Sequence, residues 1–384
     1  MLSNGISVAW VDDDFNGGAL SKYRDVPANT KVDILAGMGT ADFLPDGLPR
    51  GAMAVLEQMA SAAHPLHLDH DPASIGWTGL DQCHDFFMEL TNSLLAHDDC
   101  VGVLGRVDAL SSDTSDGSGG WRARVIDRRR GGAVFDLEAP AVVMATGALA
   151  VPTPPSLQPS GWAGPPARPP RVLPVESALQ LPALRDLVQP HESVGVIGGG
   201  HTGMVVTMHL AESLRTRRTS LFVRRPIRLA EWDAAQSSYV HWAFRGLKGR
   251  SARFALDHGL VGAAPPNGPV GDGSIALELH DSRKLHTCQA TAAALDAVVY
   301  CLGFGAPPLP SVRQGAATIS ISGHECPGGG LLDADGQPIA GLYGCGLGFS
   351  DSEYTSGAAY AEAGFMPFAQ RAREIATSVA ASVR

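Results

Sequence analysis

The 384-residue chain has six cysteines, Cys83, Cys100, Cys288, Cys301, Cys326 and Cys345, and no two of them form a CxxC or CxxxxC pair. A dithiol redox centre needs two sulfurs able to meet, and close spacing is its usual sign, so none is expected; a structural zinc site is equally unsupported. Buried free thiols in a reducing compartment are the expectation. No apolar run approaches the roughly 20 residues of a membrane helix, and no basic segment with an apolar signal core opens the chain. A cytoplasmic protein with no membrane partner is therefore expected. Positive charge is scarce: 29 Lys and Arg against 39 Asp and Glu leave a net charge of −10, which argues against nucleic acid as a partner. There is no GxSxG, P-loop or HExxH, so hydrolase and kinase chemistry have no foothold. With 45% hydrophobic residues the chain can still bury sizeable cores, as two domains by the size prior, and small-molecule chemistry is the better expectation.

The strongest motif that is present lies mid-chain, in SVGVIGGGHTGMVVTMHLAESL. Val194, Val196 and Ile197 make a strand, Gly198, Gly200 and Gly203 fit GxGxxG, and Val206, Leu210 and Leu214 then share one face of a helix. Gly198 permits a tight turn, Gly200 lets the backbone approach a pyrophosphate, and Gly203 allows close packing of helix on strand. The turn Gly198, Gly199, Gly200, His201, Thr202, Gly203 thus places the helix amino end before the phosphates. About 20 residues past the last glycine, such units usually end their second strand in an acid that binds the ribose diol of NAD. Here the residue 21 past Gly203 is Arg224, followed by Arg225, with Arg215, Arg217 and Arg218 nearby in sequence. Guanidinium groups pair with a 2′-phosphate where a carboxylate would repel it, so NADP is favoured over NAD; a solvated helix end is the other account of these arginines.

The same ruler applies to the opening stretch, MLSNGISVAWVDDDF. Ile6, Val8, Trp10 and Val11 read as a buried parallel strand, and Asp12 sits where the ribose acid of a first dinucleotide unit belongs. Its last glycine should lie roughly 20 residues upstream, before Met1, so the chain is expected to start inside a βαβ unit. The first strand of such a sheet is central, and its loss leaves neighbours with unpaired backbone groups at about 1–3 kcal/mol each. Either the natural amino end is missing, or another segment fills the gap, or the first site has been lost. The first is the expectation. A helical region, about 51–95, precedes a β-meander of VGVLGRVDAL, WRARVIDRR, AVFDLEA and AVVMATG. From Pro152 to Pro190 lie eleven of the 27 prolines, which suggest a stiff connector. LDAVVYCLGF, GLYGCGLG and an amphipathic helix close the chain.

That order of parts resembles the flavoproteins with two dinucleotide-binding domains, and among them the FAD/NAD(P)-dependent oxidoreductases related to flavin-containing monooxygenases and N-hydroxylases. The likeness covers nearly the whole chain as layout. It implies an α/β fold of two Rossmann-like three-layer units, the FAD domain incomplete at its amino end and interrupted by the NADPH domain. The boundaries read as 1–150 for the first part of the FAD domain, with a helical insertion at about 51–95 and the meander at 101–147, then 151–190 for the connector. The NAD(P)H domain follows at 191–297 and the returning FAD part at 298–384. By the same resemblance Asp12 binds the FAD adenosine ribose, Gly17 and Gly18 pass near the flavin, and the main chain of Val107 meets the adenine. Ala145, Thr146 and Gly147 mark the domain crossing, and Gly346, Leu347 and Gly348 lie by the flavin and its ribityl chain. Leu347 stands where relatives often carry an aspartate, and FxGxxxHxxx, the monooxygenase hallmark, is missing.

Asn29 and Lys31 follow the flavin-adjacent glycines, where family members place residues that steer the reactive ring edge, and are the candidate catalytic residues; an ordinary polar loop is the alternative. His64, His67 and His70 beside Asp69 and Asp71 offer a candidate metal site, against which Pro65 and the lack of a known ligand spacing argue, so no metal is expected. Trp232, Tyr239, His241 and Trp242 either cover substrate or pack between domains. The leading expectation is a flavin-dependent NADPH oxidoreductase, of monooxygenase type or serving another acceptor, acting on a small-molecule substrate. The alternative is a non-catalytic NADPH-binding sensor or partner.

Overall fold

The computed structural model describes residues 5–27, 35–36, 38, 47–62, 79–112, 120–157, 168–233, 238–240, 246–262, 268–271, 273–281, 294–325, 329–349 and 365–383. The first strand, β1 (Val8–Asp12), begins after Gly5 in left-handed conformation (φ 68°). Two amphipathic helices follow, α1 (Arg50–Ala62) and α2 (Leu80–Leu95). They bury Ala52, Leu56 and Met59 against Cys83, Phe86 and Leu35.

The 13-residue β2 (Cys100–Ser112) serves two ladders. Its first five residues run parallel to β1, and from Gly105 onward it turns into an antiparallel meander with β3 (Trp121–Asp127) and β4 (Ala133–Ala139), with a bulge between Val107 and Ala109. The short β5 (Val142–Met144) follows, and then β6 (Leu149–Ala150).

The second half of the proline-rich stretch is not a connector. It supplies β7 (Arg171–Leu173) and helices α3 (Val175–Leu179) and α4 (Leu181–Leu187), which pack into the next sheet. That sheet is centred on β8 (Ser193–Ile197), fully buried along its length as expected of a parallel strand covered on both faces. Helix α5 (His201–Met208) continues through a wider i→i+5 turn to Leu214 and is closed by Arg215 in left-handed conformation (φ 50°). Then come β9 (Arg218–Val223), a separate ribbon of β10 (Glu231–Asp233) and β11 (Ser238–Val240), α6 (Gly249–Asp257), β12 (Gly268–Pro269), β13 (Leu277–Asp281) and β14 (Ala297–Tyr300). The strand order is β12-β13-β9-β8-β14-β7, parallel except at β12. The sheet therefore runs past residue 297 through Tyr300.

The chain returns through β15 (Phe304–Gly305), antiparallel to β6, so that the two crossings between sheets are hydrogen-bonded to each other. The meander sheet gains β16 (Ser311–Gln314) and β17 (Ala317–Ile319). A last sheet joins β18 (Ile321–Glu325), β19 (Gly330–Asp333), β20 (Pro338–Gly344) and β5, the final pair parallel, and α7 (Phe365–Val383) ends the described chain. Trp121 is buried between the meander and β20 and donates its Nε1–H to Ala340 O at 3.0 Å, which ties the two sheets together. Among the described residues β1 pairs with β2 alone and β5 with β20 alone.

Candidate functional site

The bend after β8 is closed on every side but one. Gly198 sits at φ 123° and donates its amide to Phe222 O at 2.9 Å; a Cβ there would lie 2.2 Å from Cys301 O. A Cβ on Gly203 would lie 1.8 Å from Gly198 O, and one on Gly199 would lie 2.7 Å from Val223 Cγ1. Each of these glycines is demanded by a backbone or core neighbour. Gly200 differs: it caps α5 in an ordinary extended conformation (φ −78°), and nothing stands within 4 Å of an added Cβ. No side chain caps this helix. The result is a notch whose floor is main chain at the positive end of a helix, which fits a diphosphate.

His201 opens the helix with Nε2 placed 3.2 Å from Gly246 O. A carbonyl only accepts, so Nε2 carries the hydrogen. Burial, with the charge of Lys248 adding to it, lowers the pKa of His201 to about 4. A neutral ring suits the positive end of a helix. Thr202, next in the turn, is half-buried. Cys301, whose carbonyl walls the bend, is buried and its thiol pKa is pushed up by that burial, so it is an unreactive thiol.

At the carboxyl end of β9, Val223 touches the bend and Arg224 and Arg225 follow it, both exposed. The other arginines are engaged elsewhere. Arg217 donates to Ser193 Oγ (3.1 and 3.0 Å) and pairs with Asp296 at 3.4 Å, while Arg218 donates to Ala294 O at 3.3 Å; both stand at the opposite end of the strand. Arg215 closes the preceding helix. Of these five arginines, Arg224 and Arg225 alone stand at the end of β9 beside the bend.

On the other side, Asp12 ends β1 with Oδ1 accepting the amides of Asp14 and Phe15, each at 3.0 Å. Residues 105–107 of β2 pair with β3 on one edge; β1 pairs only up to Leu104 and β16 only from Ala109, so the main chain around Val107 has an edge that no described strand covers. Gly17 (φ 61°) and Gly18 (φ 70°) are left-handed and lead into a 3-10 turn over Gly18–Tyr23. Nothing lies within 4 Å of a Cβ on Gly18, whereas Gly17 is backed by His84 and Met88.

Ala145, Thr146 and Gly147 follow β5, and Gly346, Leu347 and Gly348 follow β20. The two turns touch: a Cβ on Gly348 would lie 2.3 Å from Gly147 O, and Cys345 N donates to Met144 O at 2.9 Å. Gly346 (φ 92°) and Gly147 (φ 69°) face open space.

A contact path joins the two groups of turns. The ring of Tyr23 meets Phe304 edge-on at 6.1 Å, and Tyr23 and Val26 pack against the core of the β8 sheet. Phe304 is three residues past Cys301, the wall of the Gly198 bend. Sequence reasoning missed Tyr23, Phe304 and His84; each acts through a long-range contact that no local pattern encodes.

Asn29 and Lys31 lie outside the described residues, as do His64, His67, Asp69, His70, Asp71, His241 and Trp242. Trp232 and Tyr239 are backbone partners in the β10–β11 ladder. Among the described residues no cluster of His, Cys, Asp and Glu could hold a metal, and no helix is long and apolar enough to cross a membrane.

A parallel sheet with a glycine bend, joined by paired crossings to a second sheet with its own glycine turns, defines an α/β protein of two Rossmann-like units. No protein-family model matches the chain. The monooxygenase AgnR1 of Paecilomyces divaricatus is 26% identical over 374 residues, spanning 90% of this chain and 84% of its own. The reduced form of ornithine hydroxylase PvdA from Pseudomonas aeruginosa superposes with a TM-score of 0.54 at 12% identity, over 98% of this chain and 92% of that one, which shows a shared fold. The ornithine N-hydroxylase KtzI of Kutzneria sp. 744, with reduced FAD, NADP+ and L-ornithine, gives 0.47 at 14% identity over 95% and 90%.

Proposed function

We propose that the protein is a flavin-dependent NADPH oxidoreductase of monooxygenase type that acts on a small organic substrate. The observation that carries this reading is the contact path from the Gly17–Gly18 turn through Tyr23, Phe304 and Cys301 to Gly198. It keeps the two sets of glycine turns in fixed register, as hydride transfer between two nucleotides demands. The relationship to AgnR1, a monooxygenase, over 90% of the chain supports the same reaction class.

In this reading the Gly198–Gly203 bend holds the NADPH diphosphate, and Arg224 and Arg225 grip the 2′-phosphate. Asp12, the Val107 edge, Gly17, Gly18, Ala145–Gly147 and Gly346–Gly348 hold FAD. The cofactors, when bound, supply hydride transfer and oxygen activation. The protein orients them and excludes water; the neutral His201 leaves the helix end free to meet an anion. Asn29 and Lys31, two and four residues past Pro27 in the sequence, are proposed on sequence grounds as the residues beside the reacting ring.

The test is to purify the protein with added FAD, record its visible spectrum, and add NADPH under air with a panel of small amines and other organic substrates. The expected result is a yellow protein bleached by NADPH, oxygen uptake, and a product heavier by one oxygen atom. A colourless protein that binds NADPH but transfers no electrons would overturn it.

A further inference from the structure

Helix α2 carries two stripes. Cys83, Phe86, Phe87 and Leu90 face α1. Residues 84, 88, 91 and 95, at the i, i+4, i+7, i+11 spacing of a single face, form the second. On that stripe His84 and Met88 back Gly17, and Leu95 lies 2.6 Å from where a Cβ of Gly102 would be. Packing alone would be served by a leucine at position 84. Instead the imidazole, with its side chain 6% exposed, has Nε2 placed 3.2 Å from Asn16 Oδ1 and Nδ1 placed 3.2 Å from Asp85 Oδ1. Asp85 in turn accepts from Arg24 Nη2 at 3.1 Å.

The chain Asn16–His84–Asp85–Arg24 therefore fastens both ends of the strap 16–24 to α2. A third tie completes it, Leu80 N donating to Val26 O at 3.0 Å. Between the fastened ends lie the left-handed Gly17 and Gly18, and Tyr23, which touches Phe304. From this geometry we infer that His84 is a positioning residue: through Asn16 it fixes the Gly17–Gly18 turn, and with it the approach of the chain to the flavin ring. The inference rests on the proposed function, because that reading places flavin at this turn.

The two nitrogens separate the roles. Gln at position 84 presents its amide nitrogen near the place of Nε2 and keeps the link to Asn16; Asn presents it near Nδ1 and keeps only the link to Asp85. Four forms of the full chain are compared: wild type, His84→Gln, His84→Asn and His84→Ala. The readouts are FAD dissociation constant, visible circular dichroism of bound flavin, melting temperature, and amide hydrogen exchange over residues 17–23.

We expect His84→Gln to match wild type. His84→Asn and His84→Ala should bind FAD at least tenfold more weakly, change the flavin dichroism, and exchange faster over the strap. Equal FAD affinity and dichroism in His84→Asn and wild type would overturn the inference. So would losses that only follow the melting temperature across all three variants. A wild type that takes up no FAD would sink the proposed function instead, and the exchange data would then decide the strap role by themselves: no difference between His84→Gln and His84→Asn would overturn it.

Discussion

Two neighbouring glycines make opposite predictions from one bend. Replacing Gly203 by alanine puts a methyl 1.8 Å from Gly198 O and 2.8 Å from Gly198 C, both main-chain atoms that cannot swing aside. Overpacking of that kind costs about 1–3 kcal/mol, so Gly203→Ala should melt early and bind NADPH poorly because the bend is deformed. Replacing Gly200 by alanine meets no atom within 4 Å, and its φ of −78° is allowed to any residue. Alanine is a poorer helix cap than glycine by about 1 kcal/mol but restricts the unfolded chain by a similar amount. These effects offset, so stability should stay within about 0.5 kcal/mol. The new methyl projects into the notch where phosphate oxygens must come close to main-chain amides. Losing one charge-assisted hydrogen bond of about 1.5–3 kcal/mol weakens NADPH binding roughly ten- to a hundredfold at about 1.4 kcal/mol per decade. Thermal melts and a fluorescence titration with NADPH read both quantities on the same preparations. If Gly200→Ala bound NADPH like wild type, the diphosphate would not rest in this notch, and the placement of the nicotinamide cofactor would be wrong.

Three further outcomes follow from the geometry. Changing Arg224 and Arg225 to glutamine should weaken NADPH binding tenfold or more while leaving NADH binding nearly unmoved, since only the 2′-phosphate distinguishes them; equal losses for both dinucleotides would remove the arginines from that role. His201 is neutral in the fold with its pKa lowered from 6.5 to about 4, so as pH falls the unfolded chain binds this proton first. The stability tied to the neutral ring is complete above pH 6.5 and is lost between 6.5 and 4. At about 1.36 kcal/mol per unit that is about 3–4 kcal/mol over the whole window, and His201→Gln should flatten this part of the curve in urea melts at pH 7, 5.5 and 4.5; parallel curves would refute it. Gly348→Ala should unseat the two turns behind the proposed flavin site, because its Cβ would lie 2.3 Å from Gly147 O, and an FAD affinity and melting temperature equal to wild type would show that they do not need each other.

What could be seen in the sequence was what repeats at short range. The strand–glycine–helix unit at 193–214 was legible because its apolar run, its three glycines and its helix face all lie within one local pattern. The meander, the strand ending at Gly344 and the closing helix were legible for the same reason. The proline-rich stretch misled because proline density reports on backbone stiffness, whereas β7 is, among the described residues, an edge strand paired by β14 on one side, a place where nearby prolines are tolerated. The cluster of five arginines was ambiguous because charge in sequence does not say which end of a strand it occupies. Two of the five turn back to Ser193, Asp296 and Ala294, partners 24, 79 and 76 residues away in sequence.

The segment Ala297–Gly305 explains why the two halves of the site hold their register. Its first four residues are a ladder strand against Val194–Ile197, which fixes the height of Cys301 beside Gly198. Gly303 O then accepts the amide of Val151, locking the outgoing and returning crossings together, and Phe304 receives Tyr23 from the strap. Moving this segment by one residue in its ladder would reverse the face of every side chain and put Cys301 Cβ, which lies 3.4 Å from where a Cβ of Gly203 would be, on the wrong side of the sheet. Cys301 is thus held for its position and its carbonyl rather than for its thiol, and the glycine at 198 is required because that carbonyl is there. The bend, the crossing and the strap therefore depend on a single strand register, which would keep the two proposed nucleotide sites aligned.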